Sequence, residues 1–237
     1  MKQALRVVLA VAVCAGCTSL AGPPKQTKAS KPAAKPSNLV PLKIELPKPA
    51  FKGTPKHVPP GTNLEKPRKG PRPPLMVSKG VKRISHGKRV TSSDPEPFLG
   101  ELSYVTDGNK EAVEGAYVEL GPGVQWVQID LGREYAIWAI VVWHYHMNAR
   151  VYHDVIVQVS NDPNFVKGVR TLFNNDHDNS AGLGVGRDKE YWETFEGKLI
   201  AARGVRARYV RLYSNGSTTD DQNHYTEVEV YGLPDGE

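Results

Sequence analysis

The stretch QWVQIDLG, residues 125–132, decides how the chain is read. It alternates with period two. Val127, Ile129 and Leu131 point to one side, and Trp126, Gln128 and Asp130 to the other, as in a half-buried strand ended by Gly132. A longer apolar run, IWAIVVWHYHM at 137–147, follows, and then a second alternating segment, DVIVQVSND at 154–162. Further strand-like runs are expected at 88–92, 117–120, 152–160, 171–173, 191–195, 198–202, 208–214 and 225–231. They are punctuated by Asp107-Gly108, Gly121-Pro122-Gly123, Asn161-Asp162-Pro163, the glycine-rich 182–186 and Asn215-Gly216. No window shows a helical apolar stripe. The expected fold is therefore all-β, a sandwich or barrel.

Charge divides the chain. Residues 18–75 hold twelve basic and two acidic side chains, a surplus of ten. With Lys2 and Arg6 also basic and the whole chain at +6, residues 76–237 carry six net negative charges. A folded part of that sign lacks the basic face that phosphate recognition requires, which argues against a nucleic-acid partner. Both cysteines, Cys14 and Cys17, precede residue 18, so residues 76–237 have neither disulfide nor thiol chemistry.

Residues 1–17 read as an export signal. Lys2 and Arg6 precede a short apolar run at 7–13, too short to span a bilayer. The CAGC at 14–17 resembles the bacterial lipobox, with Cys14 in place of the usual Leu. That resemblance implies lipidation of Cys17 and, with Thr18 next, anchoring to the outer membrane of the cell envelope. Cleavage after Ala21, giving a secreted or periplasmic protein, is the alternative. Residues 18–75 contain 14 of the 19 prolines and few large apolar residues. They are expected to be a disordered, extended linker, with a folded domain over 76–237.

The pieces occur in a telling order: GKRVTSSD (87–94), VTDGNKE (105–111), QWVQIDLG, VQVSNDPNF (157–165), ARYVRLYSNG (207–216) and HYTEVEVYG (224–232). Over roughly residues 80–233 this set resembles a discoidin domain, the coagulation factor V/VIII C-type module of the galactose-binding-like superfamily. It is also similar to bacterial carbohydrate-binding modules of that superfamily. The resemblance implies an eight-stranded antiparallel jelly-roll β-sandwich that binds a ligand through loops at one end. The segment FNNDHDNSAGLGVGRDKEY (173–191) departs from the plain module.

The same resemblance implies a structural Ca²⁺ at Asp107, Asn109 and Glu227, whose hard oxygens suit that ion. Asp107 opening an ordinary Asp-Gly turn is the competing reading. The 176–180 loop is oxygen-rich, but it has Ala181 where an EF-hand needs Gly and is expected to hydrogen-bond to itself. His144 and His146, with His153, His177 and His224, lack a catalytic zinc spacing and are expected to serve as hydrogen-bonding groups.

Sugar binding needs an aromatic platform and a few fixed polar groups. The candidate loop residues are Asn148, Arg150, Asp176, His177, Asp178, Tyr191, Trp192, Asn223, His224 and Tyr225. Trp126, Trp138 and Trp143 lie in strands and are expected in the core. Arg208 and Arg211 are expected on a solvated strand face. No nucleophile elbow or Walker motif occurs, and the G-x-G-x-G at 182–186 lacks a strand-turn-helix frame.

The expectation is thus a non-catalytic envelope module binding a carbohydrate or envelope polysaccharide. The alternatives are a structural domain docking another envelope protein and, third, a metal-dependent hydrolase.

Overall fold

The computed structural model describes residues 38–51, 53, 55–60 and 62–234. The signal segment and Cys17 lie outside the described residues, as does the linker up to residue 37. The strands in chain order are β1 (Leu39–Pro41), β2 (Met76–Ser78), β3 (Lys82–Arg83), β4 (Arg89–Ser92), β5 (Val118–Leu120), β6 (Gln125–Trp143), β7 (Ile156–Ser160), β8 (Arg170–Asn174), β9 (Lys198–Ser214), β10 (Asn223–Tyr225) and β11 (Glu227–Pro234). Between β4 and β5 runs one 3₁₀ turn, Leu102–Thr106. All strand pairings are antiparallel.

Two long strands organise the sandwich. β6 pairs with β9 from Gln125↔Ser214 to Val142↔Lys198, and the ladder slips between Asp130 and Tyr135. Gly132, at φ 87°, supplies the left-handed turn there, a backbone conformation that side chains disfavour, and its amide donates to Asp130 Oδ1 at 2.8 Å. Before the slip, β6 pairs with β4, and β9 carries β7 and then β8 outward. After the slip, β6 pairs with β11, which carries β3. The two halves face each other across one core. Val127, Ile129, Val157, Val210 and Leu212 meet Ile137, Ile140, Val142, Val228 and Val230 in it. The short pair β5–β10 adds Val118, Leu120 and Tyr225. This is the jelly-roll sandwich expected from the sequence. The run expected at 125–131 and the run at 137–147, as far as Trp143, are one bent strand, as are 198–202 and 208–214; the run at 191–195 is loop.

The distal half of β6 is apolar on both faces. Ala139, Val141 and Trp143, with Tyr231 of β11, form a second cluster on the outer side. Part of the 38–75 segment packs on that side, where a disordered linker reaching to residue 75 was expected. β1 pairs with β2, the Leu42 amide donates to Leu75 O at 2.8 Å, and Leu42, Ile44 and Leu75 pack on the outer cluster. Further along, Leu64 forms a parallel bridge with Glu190. A proline-rich chain cannot build a core of its own, but it can lend alternate side chains to a face that already exists. Its extended backbone loses comparatively little freedom in doing so. LVPLKIEL at 39–46 carries the period-two signal that marks the docked part.

Candidate functional site

One end of the sandwich gathers side chains from four separate segments. Tyr117 precedes β5, Tyr145 and Arg150 follow β6, Asp220 lies in the 215–222 turn, and His224 is in β10. The Arg150 guanidinium is buried and locked. Its Nε and one terminal nitrogen donate to Asn148 Oδ1 at 3.0 and 2.9 Å, and the other terminal nitrogen donates to Asp220 Oδ2 at 2.8 Å. It also lies over the Tyr145 ring, 4.7 Å from its centre. Tyr117 meets Tyr145 edge-on at 5.1 Å, and both rings are half-buried.

His224 sits behind these rings. Tyr152 Oη lies 3.0 Å from His224 Nδ1, and Glu119 Oε2 lies 3.4 Å from Nε2. Burial pushes the imidazole pKa down to about 4, against the pull of Asp220, so it is neutral at pH 7. A neutral ring that accepts from Tyr152 at Nδ1 carries its proton on Nε2, facing Glu119. Glu119 is itself held above the usual carboxylate range by burial and by Asp220. The end therefore offers a fixed guanidinium, a neutral imidazole, carboxylate oxygens and two aromatic rings.

Deeper in lies a buried polar layer. His144 Nδ1 is 3.0 Å from Glu193 Oε2, and its ring stacks on Tyr152 at 4.3 Å. His146 Nε2 lies 2.9 Å from the Lys110 carbonyl oxygen, to which it donates. His153 pairs with Glu190 at 3.2 Å, and the carboxylate raises its pKa. His144, His146, His153 and His224 thus each have a hydrogen-bonding neighbour.

The ten expected ligand residues do not form one site. Asn148, Arg150 and His224 converge at the end just described. Asn223 and Tyr225 are fully buried and structural: Asn223 Nδ2 donates to Gly121 O and Gly123 O, and Tyr225 shares a hydrogen bond with Ser214. Tyr191 and Trp192 line a different cavity, against residues 65–72. Asp176 is buried, and both its oxygens take backbone amides, from Ser180 and Ala181, at 3.0 Å. The 174–188 loop thus hydrogen-bonds to itself. His177 and Asp178 stand beside it on an open cleft with His153, Asp154 and Glu190. Asp154, Asp176 and Asp178 bring carboxylate oxygens within 4.8 Å of one another. Sequence reasoning missed Tyr117, Glu119, Tyr145 and Asp220. Tyr145 alone had a local signal, next to His144 and His146.

At the Asp-Gly turn, Asp107 Oδ1 accepts the Asn109 amide at 2.7 Å and Asn109 Oδ1 accepts the Glu111 amide at 3.0 Å, so both side chains perform turn duty. Glu227 is fully buried. Its Oε2 accepts the Gly108 amide at 2.9 Å, while Oε1 has no partner. Burial drives its pKa up to about 8, with Glu229 and Asp107 adding repulsion. Glu229 beside it is neutralised by Arg83 at 2.9 Å and Lys110 at 2.8 Å.

The expected strand tryptophans divide. Trp143 is fully buried, whereas Trp126 and Trp138 are half-buried. Arg211, expected merely solvated, lies 4.2 Å from both the Trp126 and the Phe165 ring centres. Arg208 makes a two-point pair with Asp130, at 2.7 and 2.8 Å.

No family model matches the chain, and no curated protein matches it. Solved structures do. A family 89 glycoside hydrolase from Clostridium perfringens, in complex with its substrate GlcNAc-alpha-1,4-galactose, aligns over 65% of this chain at 18% identity with a TM-score of 0.50. The chain spans only 15% of that enzyme. Chitosan-binding module 1 of a chitosanase/glucanase from Paenibacillus sp. IK-5 aligns over 64% of this chain and 99% of its own length, at 21% identity and a TM-score of 0.44. The lectin domain of lectinolysin, complexed with Lewis B antigen, aligns over 65% and 98%, at 15% identity and 0.46. The likeness to the hydrolase region is one of fold, an antiparallel β-sandwich.

Proposed function

We propose that the chain is a non-catalytic carbohydrate-binding module whose primary site is the end bearing Tyr117, Tyr145, Arg150, Asp220 and His224. The carrying observation is Arg150, locked by Asn148 and Asp220 and stacked on Tyr145. Sugar rings present apolar faces that pack on aromatic rings, and hydroxyls that need fixed donors and acceptors. A guanidinium ordered before binding loses little entropy when it grips a hydroxyl pair. Two of the structural neighbours are named for binding carbohydrate, a chitosan-binding module and a lectin domain. That is consistent with this reading.

Ca²⁺ is proposed as a structural ion. The unpartnered, buried Glu227 Oε1 beside the Asp107 turn is the kind of hard oxygen such an ion would take, with Asp107 and Asn109 near it. For the segment before residue 38, the proposal keeps the reading from the sequence: export to the cell envelope and anchoring through a lipid on Cys17.

The test is a glycan array probed with the intact chain, followed by calorimetry on the best hit, with Ca²⁺ and with chelator. A neutral saccharide should bind, and Arg150→Gln should abolish that binding. Failure of every glycan under both conditions would refute the proposal.

A further inference from the structure

A second site of different chemistry lies where residues 65–72 cross the segment before β9. A cavity of about 320 Å³ is lined there by Lys66, Arg68, Arg72, Tyr191, Trp192 and Lys198, among others. We infer that this cavity binds an anionic saccharide, one carrying carboxylate or sulfate groups. The inference rests on the carbohydrate-binding reading only for the ligand being a saccharide; its charge is argued independently.

Four cations line the cavity against one carboxylate, Glu65. Lys198 pairs with Glu65 at 2.8 Å, its ammonium also lying 4.5 Å from the Tyr191 ring centre. Arg68 pairs with Glu196 beside the cavity. The other two cations make no direct ion pair among the described residues, although Glu196 lies near enough to Arg72 to favour its charge. Lys66 is exposed. Arg72 is half-buried, and among the described residues its one hydrogen bond is from a terminal nitrogen to Gly197 O at 2.9 Å. A guanidinium carries five N–H donors in a planar fork. Withdrawing it from water with one carbonyl satisfied leaves the rest suited to a two-point anionic acceptor. Burial lowers its pKa against the pull of Glu196, and the like charge of Arg68 adds to the lowering.

Trp192, half-buried on the same wall, supplies the flat surface on which a sugar ring packs. Three of the four cations come from residues 66–72, outside the jelly roll, whose own residues 76–237 are net acidic. The docked proline-rich segment thus contributes the specificity: it lays a basic wall against an aromatic one. A neutral polymer would leave Lys66 to water and Arg72 to Glu196 alone, whereas an acidic one would pair with both.

The experiment is calorimetry on the full chain with four probes: a uronate oligosaccharide, a sulfated oligosaccharide of similar length, a neutral oligosaccharide and inorganic sulfate. At least one acidic oligosaccharide should bind, and binding should weaken as salt rises. Lys66→Gln and Arg72→Gln should each weaken it, the latter by about tenfold or more, whereas Arg150→Gln should leave it unchanged. The tighter of the two acidic probes assigns the anionic group. Lys66→Gln, at an exposed position, carries the test if Arg72→Gln fails to fold. Three results would overturn the inference: no acidic oligosaccharide binds, neither substitution weakens the binding, or inorganic sulfate binds as tightly as the oligosaccharide. Loss of acidic binding in Arg150→Gln would overturn it too, by moving the ligand to the sandwich end. Loss of neutral binding alone bears on the proposed function and leaves this site standing.

Discussion

The guanidinium of Arg150 lies 4.7 Å from the centre of the Tyr145 ring, with one of its terminal nitrogens 2.8 Å from Asp220 Oδ2. Arg150 is only 4% exposed, so its charge is held in place by neighbours and presented at the edge of an aromatic surface. Arg150→Lys keeps the charge but loses the planar fork that reaches Asn148 and Asp220 together. Calorimetry with the best neutral glycan should show affinity reduced about tenfold or more, with the melting temperature lowered by no more than a few degrees. Wild-type affinity in the lysine variant would show that the fork is not what the ligand reads.

His224 gives the site a pH dependence. Its pKa falls from 6.5 to about 4 on folding because burial disfavours the charged ring. Between these values the unfolded chain binds the proton that the folded chain refuses, so stability is full above about pH 6.5 and declines as pH falls toward 4. The loss at the acid end is on the order of 2–3 kcal/mol. Denaturant melts across that range should show the decline, and His224→Gln should flatten it. An unchanged slope in the variant would assign the proton uptake elsewhere.

Gly197 bears directly on the packing of Trp143. A β-carbon there would come 2.7 Å from the indole, and φ is 61°. The indole nitrogen donates to Phe195 O at 2.9 Å, so the ring cannot swing away without giving up that bond. Gly197→Ala combines left-handed strain with overpacking, costing about 2–4 kcal/mol. Chemical denaturation should show a lowered midpoint with little change in slope; a stability within 0.5 kcal/mol of wild type would be inconsistent with this packing.

The docked segment should come loose when its apolar contacts are charged. Ile44→Asp places a carboxylate against the outer cluster of Val141 and Trp143. Limited proteolysis should then cut within residues 38–75 many times faster, while the sandwich persists as a resistant fragment. Equal resistance in wild type and variant would mean that Ile44 does not hold the segment down.

Calcium should raise the melting temperature, and chelator should reverse the rise. Glu227→Ala should remove the response by taking away the buried unpartnered oxygen. A shift that survives this substitution would place the ion elsewhere, with Asp154, Asp176 and Asp178 the next candidates.

Sequence legibility followed the range of the interactions. Val127, Ile129 and Leu131 are all fully buried, and alternation alone announced it, because the period of a strand is local. The self-bonded 176–181 loop was legible for the same reason: Asp176 takes amides only four and five residues away. Arg150 and His224 could be nominated as polar loop residues. Their partners could not, since Glu119 and Asp220 reach them only when β5, β10 and the 215–222 turn close on one another.

The proline-rich segment shows the same limit from the other side. Its composition says that it cannot form a core, and that is true of residues 38–75 taken alone. Whether it docks depends on an outer apolar face assembled from Ala139, Val141, Trp143 and Tyr231, which the period-two pattern at 39–46 suits but does not locate. By itself, then, the sequence determined the sandwich and the acid–base division of the chain, both consequences of short-range periodicity and composition. Tertiary structure alone decided that Trp192 belongs with Arg72 and not with His224. Burial and charge pairing act between residues that meet only after the chain has closed.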